Sequence, residues 1–105
     1  FEGEYLNGKR NGKGKEYKYS AVEFEGEYLN GKRHGKGKEY KLASLLHKKI
    51  PLKNGKLKTK KNLIDSRLLF EGEYSNGKRN GYGKEYGDEG EIIFEGEYLN
   101  GKRKI

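Results

Sequence analysis

The sequence predicts an all-β protein, an elongated single-layer antiparallel sheet of stacked β-hairpins carrying one basic insertion. Three observations carry that prediction. The decapeptide FEGEYLNGKR stands at Phe1, at Phe24, as FEGEYSNGKR at Phe70 and again at Phe94, so the chain is an array of one unit. Within FEGEY, Phe1, Gly3 and Tyr5 alternate with Glu2 and Glu4, the period of two expected of a half-buried strand. After each FEGEY comes an Asn-Gly dipeptide, a residue pair suited to the positive φ angles of a hairpin turn.

One unit runs from residue 1 to 23. FEGEY is its first strand, Lys13 to Tyr17 its second, and Asn7-Gly8 and Asn11-Gly12 supply the reversing loop between them. Glycines at such density disfavour a helix, each costing about 1 kcal/mol relative to alanine. A lone hairpin buries too little to persist in water, so the units must stack, each first strand pairing with the preceding second strand. Residues 24–40 form the next unit, 70–93 another and 94–105 a partial one. Stacking aligns Phe1, Phe24, Phe70 and Phe94 in one row and Tyr5, Tyr28, Tyr74 and Tyr98 in a second, with Tyr17, Tyr40 and Tyr86 of the second strands nearby. Glycines such as Gly3 and Gly14 leave room for these rings.

Composition agrees with a thin structure. Only 30% of the 105 residues are hydrophobic and 38% are charged, too little apolar material for a thick core. The periodic placement of 9 Tyr and 4 Phe favours order over the disorder such polarity otherwise suggests. The chain has no cysteine, which excludes disulfides and cysteine-based zinc sites and points to a cytoplasmic location. It shows no leader pattern and no apolar run of membrane-spanning length. The lack of methionine and the break partway into a repeat at Ile105 read as a piece of something longer.

The spacing aromatic-x-Gly-x-aromatic-x-x-Gly-x-x-x-Gly-x-Gly, met by Phe1, Gly3, Tyr5, Gly8, Gly12 and Gly14 and repeated from Phe24 and Phe70, resembles the membrane occupation and recognition nexus (MORN) repeat. That resemblance implies an elongated hairpin sheet that is not itself a catalyst. It implies a scaffold or adaptor for protein-protein assembly in a cytoskeletal, ciliary or membrane-associated structure. Alternatives are a targeting or substrate-positioning module of a larger kinase or methyltransferase, or a peripheral binder of anionic lipid. No cofactor is expected.

Residues 41–69 depart from the pattern and form a basic insertion or a degenerate repeat, the insertion being the favoured reading. LASLLHKKI is expected to form a turn or two of helix before Pro51, and LKNGKLK at Leu52–Lys58 a small hairpin. This segment holds nine basic residues against Asp65, so it alone equals the net charge of +8 carried by the whole chain. Lys48, Lys49, Lys53, Lys56, Lys58, Lys60, Lys61 and Arg67 are therefore the candidate contacts for an anionic partner. A solvated loop is the plain alternative. An acidic protein surface, such as a cytoskeletal one, ranks next. An anionic membrane follows, with Leu45, Leu46 and Ile50 as anchors, and nucleic acid comes last for want of a stacking aromatic in the insertion.

Other chemistry is weakly supported. GKRNGKGK has the wrong spacing for a phosphate-binding loop. Glu2 and Glu4 are expected to pair with Lys13 and Lys15 across strands. His34, in the slot of Asn11 and Asn80, reads as a turn residue, and His47 has no ligand partner, so no metal is expected. The strand Phe94–Leu99 is expected to present an unpaired edge, suited to head-to-tail self-association.

Overall fold

The computed structural model describes residues 1–44, 49–51, 57–59 and 64–105, and the side chains of 1–41 and 66–105. The described residues form ten strands: β1 (Glu2–Leu6), β2 (Lys9–Lys18), β3 (Ala21–Leu29), β4 (Lys32–Ser44), β5 (Lys49–Pro51), β6 (Leu57–Thr59), β7 (Ile64–Ser75), β8 (Lys78–Tyr86), β9 (Ile92–Leu99) and β10 (Lys102–Arg103). Eight form one open antiparallel sheet in the order β1-β2-β3-β4-β7-β8-β9-β10, and β5 pairs with β6 separately. Described residues include no helix. The molecule measures 55 × 37 × 14 Å, the thinnest dimension being that of a single layer.

The hairpin of each repeat closes on two residues. Asn7 and Gly8 have φ of 51° and 78°, and Asn30-Gly31, Asn76-Gly77 and Asn100-Gly101 repeat the geometry, which matches the right-handed strand twist as primed turns do. The second strands therefore start at once, at Lys9 rather than the expected Lys13. Asn11-Gly12 lies inside β2, not in a loop, and His34 likewise lies in β4. Gly12 keeps a φ of 94° because three residues of β2, 11–13, face the single residue Glu4 of β1. This bulge is sealed by the Glu4 carboxylate, which accepts a hydrogen bond from the Lys13 amide at 2.8 Å. Glu27 and Glu73 do the same for the amides of Lys36 and Tyr82. Turns of successive repeats are tied as well, with the amides of Gly31, Gly77 and Gly101 donating to the carbonyls of Arg10, Arg33 and Arg79.

A row of paired glycines crosses seven strands: Gly3, Gly14, Gly26, Gly37, Gly72, Gly83 and Gly96, each opposite the next. The rings occupy the space this row leaves. A Cβ on Gly37 would lie 2.5 Å from Cζ of Phe24, so the ring packs directly against the glycine backbone. Phenylalanines and tyrosines do not form two separate rows. They form one zigzag, Tyr5-Phe1-Tyr28-Phe24-Tyr74-Phe70-Tyr98-Phe94, in which every contact is edge-to-face at centroid distances of 5.0–5.7 Å. Phe24 and Phe70 are fully buried at its centre.

The insertion adds no hairpin to the main sheet. β4 runs on past Tyr40 and pairs directly with β7, from Gly35 opposite Tyr74 out to Ser44 opposite Ile64. The helical turn expected at LASLLHKKI is not present where the chain is described, because Leu42–Ser44 are taken into the ladder with Ile64–Ser66 and Lys49–Pro51 form β5; residues 45–48 lie outside the described residues. β5 and β6 pair as an antiparallel ladder on either side of Asn54-Gly55, which is also outside. At its base this arm is fastened on both sides. Ser66 Oγ donates to the Val22 carbonyl at 3.1 Å, and Arg67 donates to the Gly87 carbonyl at 2.6 Å and to the Asp88 carboxylate at 2.7 Å.

The edge expected at Phe94–Leu99 is half covered. After the Asn100-Gly101 turn, Lys102 pairs with Leu99, Arg103 with Tyr98, and the Lys104 amide donates to the Glu97 carbonyl at 2.8 Å. A tight turn lets a few residues suffice.

Candidate functional site

The two faces of the sheet differ in chemistry. On the ring face, the Arg33 guanidinium lies 4.1 Å above the Phe24 ring, and Arg79 lies equally over Phe70, a favourable stacking. Glu16, from the preceding repeat, accepts from Arg33 Nε at 2.9 Å and from the Tyr28 hydroxyl. Glu39 binds Tyr74 at 2.5 Å and Arg79 at 2.7 Å, and Glu85 binds Tyr98 at 2.5 Å and Arg103 at 2.6 Å. Each carboxylate thus clamps the next repeat to its own. The sequence signal for these clamps was the recurrence of Arg in NGKR and of Glu in KEY, which a reading centred on aromatics passes over.

Electrostatics follow from the clamps. The hydrogen bond from Arg103 to Glu85, aided by Tyr98, outweighs burial and lowers its carboxyl to about 2. Burial raises Glu16, but hydrogen bonds from Arg33 and Tyr28 win and hold it below the usual carboxylate range. Burial, then the bond to a carboxylate, pushes Tyr98 and Tyr40 up to about 12 and Tyr28 and Tyr74 higher still. Depressed Glu85 contributes stability that is present above about 4.5, its ordinary value, and is lost as pH falls through its folded value of about 2; depressed Glu16 acts in the same direction. Raised Tyr98 and Tyr40 contribute stability that is full below 10.0 and is lost as pH rises through about 12. Thermal melts across pH should therefore show a plateau falling at both ends. Glu85→Gln should flatten the acid limb, and an unchanged limb would show that the clamp is not its source.

The opposite face holds a groove of about 840 Å³ running across the strands. Its floor is bare backbone at Gly3, Gly14, Gly26, Gly37 and Gly72. Its walls are charged in bands. Glu2 faces Lys15, Lys15 faces Glu25, then come Lys38, Glu71, Lys84 and Glu95, one per strand with alternating sign. Two residues away on the same strands Lys13, Glu27, Lys36, Glu73, Tyr82 and Glu97 repeat the sign of their band, except that Tyr82 replaces a lysine. Of the expected cross-strand Glu-Lys pairs, Glu2 faces Lys15 in register while Glu4 sits at the bulge and takes the Lys13 amide; among the described residues neither closes to salt-bridge distance. Tyrosine hydroxyls take the carboxylates instead: Tyr17 bonds Glu2, Tyr40 bonds Glu25 at 2.6 Å, Tyr86 bonds Glu71 at 2.5 Å and Tyr82 bonds Glu95. Tyr17, Tyr40 and Tyr86 therefore belong to this face and not to the aromatic zigzag.

Of the candidate anion contacts, Arg67 is engaged by Asp88 and Gly87. Lys49 and Lys58 sit on the β5-β6 ladder. Lys48, Lys53, Lys56, Lys60 and Lys61 lie outside the described residues.

The model for the MORN repeat matches residues 1–20, 24–41, 70–91 and 94–104. The chain belongs to the MORN repeat family. Its four matches coincide with the four copies of the clamp-forming hairpin, and the gap between the second and third coincides with the arm. No curated protein and no solved structure matches the chain. The MORN repeat is generally a non-catalytic module. Among the described residues, no group of three acidic or histidine side chains could hold a metal ion, and no helix is long and apolar enough to cross a membrane.

Proposed function

We propose that this MORN array is a non-catalytic scaffold for protein-protein assembly that docks a segment of a partner protein in the charge-banded groove. The observation that carries this reading is the division of labour between faces. The ring face spends its aromatic and arginine side chains on joining repeats, whereas the groove face leaves lysines 15, 38 and 84 without a carboxylate at salt-bridge distance among the described residues. A groove with fixed polar walls and a backbone floor offers both specificity and close approach. The segment 41–69, with its +8 charge, is a second contact for the acidic part of such a partner, and the family resemblance suggests a cytoskeletal, ciliary or membrane-associated setting.

Photo-crosslinking in the source cells tests the docking. A crosslinking side chain at Lys38 in the groove should trap a discrete protein species, and one at Lys32 beside the turn should not. Trapping at Lys32 alone would overturn the reading.

A further inference from the structure

The structure assigns a spontaneous modification site at Asn7: this turn deamidates and isomerises, while the same dipeptide in the other turns is shielded by the bond that ties each turn to the one before. The chemistry belongs to any asparagine followed by glycine. The glycine backbone nitrogen attacks Cγ of the asparagine side chain and a new C–N bond forms. The side-chain nitrogen leaves as ammonia, taking the proton of the attacking nitrogen. Water then opens the cyclic imide on one side to aspartate and on the other to isoaspartate, whose main chain carries one extra carbon. Glycine permits the attack because no side chain shields its nitrogen.

The array supplies its own comparison. Asn7, Asn30, Asn76 and Asn100 are all exposed, with φ of 50–52°, and Asn7, Asn30 and Asn100 stand in the same hexapeptide, YLNGKR. Side chain, turn and sequence are therefore shared. The nucleophile is not. The amides of Gly31, Gly77 and Gly101 are bonded to the carbonyls of Arg10, Arg33 and Arg79 at 2.8, 2.9 and 2.8 Å. Attack requires the nitrogen to release its proton and swing toward the side chain, and each of these bonds opposes both. β1 is the outermost strand of the sheet, and among the described residues the Gly8 amide has no such bond. Asn11 and Asn80 also precede glycines, but they lie within strands and their side-chain oxygens accept from the Asn30 and Asn100 amides at 3.5 and 3.2 Å. At Asn7 the extra carbon loosens a turn of two residues and adds a negative charge, with the damage confined to β1 and β2. The same change at Asn30 would also drive Gly31 off the Arg10 carbonyl.

The test ages the full chain in mildly alkaline buffer and compares it with an unaged sample by tryptic digestion and mass spectrometry. Electron-transfer fragmentation separates isoaspartate from aspartate. Cleavage after Lys9, Lys32, Lys78 and Lys102 puts each turn in its own peptide. Asn7 should convert at least about fivefold faster than Asn30 and Asn100, the factor that one hydrogen bond of modest net worth gives. In strong urea the YLNGKR sites should converge, because the ties are gone and the local sequence is the same. Asn100 separates the tie from simple fraying. Its hairpin also lies at an end of the sheet and its second strand, β10, is only two residues long, yet Gly101 is tied. Conversion of Asn100 as fast as Asn7, with Asn30 slow, would assign the rate to fraying and overturn the inference. Equal conversion of Asn7 and Asn30 in the folded chain overturns it as well, as does a difference between them that persists in urea.

Discussion

Gly26→Ala is expected to unfold the array or lower its stability by about 3 kcal/mol or more, because the new methyl has nowhere to go. A Cβ at Gly26 would stand 2.6 Å from the Cα of Gly37 and 2.6 Å from the carbonyl oxygen of Lys36. Both are backbone atoms of the neighbouring strand, so no rotamer change relieves the clash. Moving β4 away would break the ladder that also carries β7. Gly31→Ala provides the contrast. That glycine has a φ of 85° with nothing within 4 Å of its Cβ position, so the cost is the left-handed backbone alone, about 1 kcal/mol. In thermal melts the Gly26 variant should lose at least three times as much as the Gly31 variant. Equal losses would mean that the glycine row is not a close-packed seam.

Phe24→Ala should cost about 3–5 kcal/mol, the range for deleting a buried phenylalanine. Its ring has no exposed surface. It meets Tyr28 and Tyr74 edge-on at 5.7 and 5.1 Å and lies beneath Arg33 at 4.1 Å. Removing it opens a cavity between two repeats and takes one link from the zigzag. Phe1→Ala, at a position 36% exposed, should cost clearly less. Urea denaturation with matched m-values is the measurement; a Phe1 loss equal to the Phe24 loss would show that the repeats melt independently of this packing.

Much of this architecture was legible in the residues. FEGEY, the Asn-Gly turn and the recurrence of the decapeptide specified strand, reversal and stacking, because each rests on local chemistry repeated four times. The site was less legible, for reasons that are physical. Asn11-Gly12 has the composition of a turn, yet the Asn7-Gly8 turn had already closed the hairpin, so its glycine serves a bulge sealed by Glu4. Tyr17 has the character of a core ring, yet it stands two residues after Lys15, so the period of two puts it on the groove face, holding Glu2. The groove depends on strand order, and only the pairing of β4 with β7 across a long insertion makes the bands continuous. LASLLHKKI had helix-forming residues, but continuation of an existing ladder outweighed a short isolated helix.

The ties between turns have an evolutionary reading. Along the edge where Gly31, Gly77 and Gly101 donate to the arginine carbonyl of the repeat before, a residue added to any one turn would push it off its neighbours and break the bonds it shares with them. On the other edge, among the described residues, the ties run through side chains at the base of the arm, Ser66 to Val22 and Arg67 to Gly87 and Asp88, and not from turn to turn. There the strands are joined by two residues between β2 and β3, five between β8 and β9, and an entire arm between β4 and β7. Length variation in a lineage of such proteins should accumulate on that margin only. New appendages can be acquired there one connector at a time while the opposite margin keeps its count.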